Sequence, residues 1–243
     1  MRALPLPALL AALPLALLAA AAGGCGGAPP LYASTPVAAE VAVDGDAGEW
    51  PSVLRPVPGE PGLSLGLRRT DDALVVAVIA RDGRQTARVV LGGLRLWLDP
   101  AGGTDRVVGV RFPTPPPPSR VDIRRAGGEA GPQILRRRFE RSLDRVEVQR
   151  GDSAARVVEP GDVLGLETAA QWGRRGLVVE ARLPLEAGAL LPAGAAPGGP
   201  LSLGVELLDL PGRRRDTLPP PGLDDKDFEA PTVTRWLRVD PAR

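Results

Sequence analysis

The sequence predicts an all-β chain folded as a β-sandwich with one short helix. Two patterns carry that expectation. Short runs that are apolar, or that alternate apolar and polar residues, recur along the chain with Gly, Pro and Asp turn signals between them. Helical spacing, by contrast, is evident at a single place.

Taken in order, residues 37–43 lead to the turn signal Asp44-Gly45-Asp46. Leu63–Arg69 alternates Leu63, Leu65 and Leu67 with Ser64, Gly66 and Arg68. Ala73–Ala80 is apolar at every position, as expected of a strand buried on both faces. Residues 94–98 place Leu94, Leu96 and Leu98 against Arg95 and Trp97. Residues 107–112, 146–148, 177–183 and 201–208, then Thr232–Val239, complete the set of strands. The helix is predicted over 133–143, where Leu135, Phe139 and Leu143 recur at i, i+4 and i+8. Residues 114–119 are a proline run expected to be extended and exposed, and 188–200 a loop of small residues.

Residues 1–24 read as an export signal. Arg2 supplies the positive start, and 9–22 form an apolar stretch interrupted by Pro14. That is shorter than the roughly 20 apolar residues a spanning helix needs. Ala22, Gly23 and Gly24 lead into Cys25, which resembles the lipobox of bacterial lipoproteins, with Ala22 where that family usually has Leu. The resemblance implies cleavage before Cys25, acylation of its thiol and a membrane anchor. Gly26 after Cys25 favours the outer membrane by analogy with proteobacterial sorting. Residues 25–36 are then the lipidated cysteine and a flexible tether, and 37–243 the folded domain, displayed at the cell envelope.

Composition excludes much else. Lys+Arg of 30 against Asp+Glu of 29 leaves +1, so bulk charge does not point to nucleic acid. Lys226 is the sole lysine, a bias in keeping with a GC-rich genome. With no His, one Cys and Met1 the single Met, the chain has no histidine triad, histidine zinc site, internal disulfide or haem ligand of the His or Met kind.

Three ordered stretches resemble the family-9 carbohydrate-binding modules and their relatives among DOMON-like sandwich domains. They are VAVDGDAGEW at 41–50, then DDALVVAVIARD at 71–82 with LRLWLDP at 94–100, then VVEARLPL at 178–185 with LSLGVELLD at 201–209. The resemblance implies a jelly-roll-like sandwich of two antiparallel sheets, recognition of sugars without catalysis, and structural calcium as an optional addition. It lacks the Met or His axial ligands of the haem-binding relatives, and the two tryptophans that clamp sugar in the binding members do not both align.

Candidate ligand residues follow from strand periodicity. Trp97 shares a face with Arg95 and Asp99, and Trp236 with Thr234 and Arg238. An indole beside Arg and Asp on a strand's polar face can stack on a sugar ring while its neighbours bond the hydroxyls; equally, it can pack under a helix or a long loop. Trp172, before the turn at Gly173, is a candidate for a ligand rim, whereas Trp50 is expected to plug one end of the core. Asp44 and Asp46, with Glu49 nearby, and the pair Asp99 and Asp105, offer hard oxygen ligands for calcium or, alternatively, ordinary turn chemistry. The acidic run 223–229 offers the same choice.

For an enzyme, the chemistry left is a carboxylate pair such as Glu180 with Asp99. The favoured reading of Glu180 is that it faces outward, opposite Val179 and Ala181, and pairs with Arg182 or another arginine, and the chain is expected not to be an enzyme. Arg136, Arg137, Arg138, Arg141, Arg145 and Arg150, with 213–215, form basic stretches suited to anionic lipid or polysaccharide, or to a solvated face. Two functions compete: glycan binding by an envelope lipoprotein, and an assembly lipoprotein that binds another envelope protein through the same fold.

Overall fold

The computed structural model describes residues 29–36, 41–126, 128–159, 161–174, 176–188, 190–209 and 232–240. Cys25, Lys226, the run 223–229 and the cluster 213–215 lie outside them. The chain forms β1 (Leu31–Tyr32), β2 (Thr35–Pro36), a 3-10 turn at Ala47–Glu49, β3 (Arg55–Pro56), β4 (Leu63–Arg69), β5 (Ala73–Ala80) and α1 (Gly83–Gly92). There follow β6 (Leu94–Asp99), β7 (Val108–Phe112), α2 (Arg120–Ala126), α3 (Gly131–Glu140), β8 (Val146–Arg150) and β9 (Arg156–Val158). The last strands are β10 (Glu167–Gly173), β11 (Gly176–Pro184), β12 (Ser202–Leu208) and β13 (Thr232–Val239).

The strands make the expected two-sheet sandwich. The larger sheet runs β1-β13-β12-β6-β7-β8-β9, the smaller β10-β11-β5-β4-β2 with β3 also on β4. All long strands pair antiparallel; the two-residue β1 and β2 pair parallel, on β13 and β4. The predicted tether therefore ends earlier than residue 37: Leu31 and Tyr32 sit on the edge of one sheet, and Thr35 and Pro36 on the other. Residues 41–43, predicted as strand, form none.

The core lies between the sheets. Leu94, Leu96 and Leu98 face inward from β6, and Leu65, Leu67, Val76, Val78, Val179 and Leu183 from the smaller sheet. A second apolar layer, Val41, Trp50, Val53, Val75 and Ala77, covers the outside of the smaller sheet. This layer explains why β5 is apolar on both faces. Trp50 belongs to it, on the outer face of the sheet, and does not plug the end of the main core.

Among the described residues three helices stand where one is predicted. α3 begins at Gly131, two residues before the predicted start, because Pro132 opens its first turn. It buries Leu135 and Phe139, while Leu143 lies beyond its end, half-buried. α1 hides in a sequence that reads as a turn. Asp82 caps it by accepting from the Gln85 amide at 2.8 Å, Gly93 ends it at φ 76°, and the β-branched pair Val89-Val90 conceals its helical stripe. α2 is announced by Ser119 and Asp122, which hydrogen-bond reciprocally at its start. Strand β10 is also absent from the sequence reading, its Ala169-Ala170 centre being too weakly apolar to show.

All three helices pack at one end of the sandwich. α1 feeds β6 at Leu94, and α2 and α3 bridge Phe112 to Val146 at that same level. β1 meets β13 at Arg238 and Val239, at the other end. Among the described residues no helix is long and apolar enough to cross a membrane.

A glycine at position 66 is what lets Trp50 lie on β4: a Cβ there would stand 2.5 Å from the indole. Gly66→Ala is expected to cost about 1–3 kcal/mol through overpacking. Gly83→Ala, whose new Cβ meets nothing within 4 Å, serves as the control. Urea unfolding of both variants checks the difference, and equal effects would count against this packing role.

Candidate functional site

The outer face of the larger sheet collects Arg95, Trp97, Asp99 and Trp236 of the predicted residues, in cross-strand rows. One row reads Gly109, Trp97, Gly204, Trp236 across β7, β6, β12 and β13. The glycines make room for the rings: a Cβ on Gly109 would lie 2.8 Å from the Trp97 indole, and one on Gly204 3.1 Å from that of Trp236. The next row, toward the helical end, reads Glu147, Arg111, Arg95, Glu206, Thr234. Strand alternation thus places Trp97 with Arg95, and Trp236 with Thr234, as the sequence predicts.

What periodicity does not show is how these groups close on one another. The Trp97 indole Nε1 donates to Glu206 Oε2 at 3.0 Å, and the guanidinium carbons of Arg95 and Arg106 stand 5.5 and 5.3 Å from the ring centroid. Trp97 is consequently 1% exposed and offers no open platform. Glu206 also accepts from Thr234 Oγ1 at 3.0 Å and pairs with Arg106 at 2.9 Å and Arg95 at 3.3 Å. Arg95 reaches on to Glu147, which Arg111 meets at 2.9 Å. Arg111 is fixed in turn by the Gly92 and Pro115 carbonyls. Glu206 is not evident from the sequence because it is 109 residues from Trp97 along the chain, and Arg106 because it lies outside the strand periodicity, in the β6–β7 connection.

Asp99 lies one row beyond, at the end opposite the helices, and is also buried. Its carboxylate accepts the Ala101 and Asp105 amides, each at 2.9 Å, and so closes the turn through Gly102 and Gly103. Trp236 remains half-buried. Trp172 is on the other sheet, in edge strand β10, and does not join this face. Its ring meets Phe139 of α3 edge-on at 6.0 Å, with the Arg136 guanidinium 5.2 Å from its centroid.

Beside the charged row, at the helical end, lies a cavity of about 280 Å³. Arg95, Arg111, Glu206 and Thr232 give it a polar wall, while Pro117 and Pro118 face it with apolar rings. Thr114 to Ser119 are therefore not simply an exposed run: Pro115 is buried and Pro117 and Pro118 border this space.

The other predicted carboxylates act within the fold. Asp44 Oδ1 accepts the Asp46 amide at 2.8 Å, and Asp46 Oδ1 the Gly48 amide at 3.0 Å. Among the described residues no group of three or more His, Cys, Asp or Glu side chains converges for a metal. Glu180 does face outward on its strand, but it does not pair with Arg182, which holds Asp72 at 2.8 Å. The segment over the smaller sheet buries it, and its carboxylate accepts the Trp50 indole at 2.7 Å and the Asp44 and Gly45 amides at 2.9 and 2.8 Å. Glu180 and Asp99 occupy the outer faces of opposite sheets and cannot act on one bond.

The basic stretch is partly consumed by the fold as well. Arg138 bonds the Pro116 and Leu91 carbonyls and pairs with Asp122, and Arg145 lies 3.7 Å from Asp144.

No protein-family model matches the chain, and no curated protein matches it in sequence. Among solved structures it is similar to a carbohydrate-binding module of family 9 from Caldicellulosiruptor kristjanssonii in complex with cellotriose. That match has 13% identity, 88% of this chain and 95% of that one covered, and a TM-score of 0.41. The glucose complex of a family-9 module from the same organism matches at 13% identity, with 88% and 97% covered and a TM-score of 0.40.

Burial raises the Glu180 carboxyl above its ordinary value, against the opposing hydrogen bonds from Gly45, Trp50 and Asp44. A carboxyl raised in the native state contributes stability that is full below its unfolded pKa, about 4.3, and is lost as pH rises through the native value. Relative to Glu180→Gln, the wild-type chain is therefore expected to lose stability from about pH 4 upward and then level off. Urea unfolding of both proteins across that range checks the sign, and a wild type that gains stability instead would refute it.

Proposed function

We propose that this chain is a lipid-anchored envelope protein whose sandwich holds a neutral glycan without transforming it, in the 280 Å³ cavity at the helical end of the larger sheet. The observation that carries this reading is the cavity's polar wall. Arg95 and Arg111 are each engaged by a carboxylate, Glu206 or Glu147, so the wall presents fixed donors and acceptors and no unpaired guanidinium. Such a wall suits hydroxyl groups better than ions, and the rings of Pro117 and Pro118 supply the apolar surface that a sugar's C–H face needs. Because each guanidinium is already held, little ordering remains to be done on binding.

Binding without chemistry is supported by the placement of the carboxylates. A glycosidase needs two facing carboxyl groups with separated pKa values. Glu180, whose carboxyl burial pushes up, is enclosed on the opposite sheet. The membrane anchor rests on Cys25 at the end of the export signal.

The alternative, an assembly lipoprotein that binds a protein partner, is favoured by the closure of Trp97, which makes that indole part of the fold. The apolar side chains Leu164, 92% exposed, and Val157, 56% exposed, are available to such a partner.

The first reading predicts that neutral mono- to trisaccharides raise the melting temperature of the full chain, kept in mild detergent. At ten times the Kd the gain is about 1.4 kcal/mol, or roughly 3–6 °C for a domain of this size. Thr232→Trp, which fills the cavity from an exposed position, is expected to abolish the shift. No shift with any neutral sugar, or a shift that survives Thr232→Trp, would move the assignment to the protein partner. Separately, Cys25→Ala is expected to move the protein from the membrane fraction to the soluble one, and its retention in the membrane would refute acylation there.

A further inference from the structure

A second, larger cavity, about 520 Å³, opens at the helical end between the margins of the two sheets. It is separate from the first. Thr232 borders one cavity and Val233 the other, and successive residues of β13 point to opposite faces of the sheet.

The base of this cavity is a built ionic cluster. Arg88, 2% exposed, bonds the Glu60 carboxylate, the Gln85 side-chain oxygen at 2.9 Å and the Leu208 carbonyl at 2.6 Å. Arg235 meets the other Glu60 oxygen at 3.1 Å. Burial alone would push the Glu60 carboxyl up, but Arg88, Gln85 and Arg235 outweigh it and hold Glu60 below the usual carboxylate range. Glu60 is thus an anion with both oxygens committed, facing two guanidinium groups. One positive charge is left over.

The rim carries both signs. Arg84 is 62% exposed and stands 3.7 Å from Asp209, beyond hydrogen-bond length. Asp82 spends Oδ1 on the cap of α1, while its Oδ2 lies against Gly62, where a Cβ would stand at 1.7 Å. A bare anion would meet Arg84 and Arg235 but be repelled by Asp82 and Asp209. Over its six charged side chains the wall is balanced, but a neutral sugar would bring no counter-charge to Arg235 at the base, whose buried Nε has no hydrogen-bond partner. A ligand with a carboxylate beside vicinal hydroxyls answers both.

We propose that the cavity walled by Glu60, Asp82, Arg84, Arg88, Asp209 and Arg235 binds a carboxylated sugar of the hexuronate type. Arg84 and Arg235 receive its carboxylate, and Asp82 and Asp209 accept from its hydroxyls. The site does not depend on the neutral-glycan cavity.

The test is calorimetric titration of the full chain in mild detergent with glucuronate, galacturonate, glucose and acetate. A hexuronate is expected to bind at least about tenfold more tightly than glucose or acetate, and Arg84→Gln and Arg235→Gln each to weaken it by about tenfold or more. Both residues are partly exposed, Arg84 at 62% and Arg235 at 40%, and an unchanged melting temperature in the Arg84 variant certifies its fold. Thr232→Trp is expected to leave hexuronate binding intact, which separates this site from the first. Equal binding of acetate or of glucose, no binding of either hexuronate, or binding that survives both arginine substitutions would overturn the assignment.

Discussion

Two tryptophans on opposite outer faces are held by the same arrangement, and much of the structure is organised around it. Trp97 lies against Gly109 and Gly204, gives its indole N–H to Glu206, and is covered by Arg95 and Arg106. Trp50 lies against Gly66, gives its N–H to Glu180, and is covered by Arg68 at 5.3 Å. In each case a glycine provides the depth, a buried carboxylate satisfies the one polar atom of the ring, and a guanidinium closes the top. A large ring on the outside of a sheet would otherwise be either exposed apolar surface or a buried donor without an acceptor, and both are unfavourable.

The consequences differ between the two sheets. On the smaller one, Trp50 and Glu180 fasten residues 41–54 over the sheet and turn its outer face into a second core. Gly45 is drawn close enough that a Cβ would stand 3.0 Å from Gln171. On the larger sheet no such layer is seen among the described residues. Glu206 instead passes its charge along a lateral chain through Arg95 and Glu147 to Arg111, which is anchored on the end of α1 and on the proline segment. The arrangement that buries Trp97 therefore also builds the wall of the smaller cavity.

This division explains what could be read from the sequence. The strands of the core were legible because a period of two survives in Leu63–Arg69 and at residues 94–98, and it also placed Trp97 and Arg95 on one face. Openness to solvent was not legible, since Trp97 is closed by Glu206 and Arg106, which reach it only through strand pairing. Asp99 and Asp44 were visible as carboxylates near turns, and local geometry alone decides that they bind backbone amides. Helix α1 was hidden because Asp82-Gly83 and Gly92-Gly93 resemble turns, while its β-branched centre resembles a strand. Glu180 resembles a surface charge in sequence because nothing local signals that residues 44–50 fold back across it.

The near absence of lysine acquires a physical reading at these sites, whatever its origin in codon usage. The residues that close indoles, Arg68, Arg95, Arg106 and Arg136, hold the guanidinium carbon 5.2–5.5 Å from a ring centroid, and several bond acceptors at the same time. Arg95 lies over Trp97 while bonding Glu147 and Glu206; Arg106 does so while bonding Glu206 and Thr234. An ammonium group can answer a carboxylate, but it lacks the delocalised planar fork that stands by a ring and reaches two acceptors from separate nitrogens. The same argument applies at the base of the larger cavity, where Arg88 serves Glu60, Gln85 and the Leu208 carbonyl from one planar group. A lysine there would carry its three donors on a single atom, whereas Arg88 reaches the Leu208 carbonyl from Nε and the Glu60 and Gln85 oxygens from a second nitrogen. Both cavities thus inherit their fixed, directional walls from the side chains that stabilise the sheets beneath them.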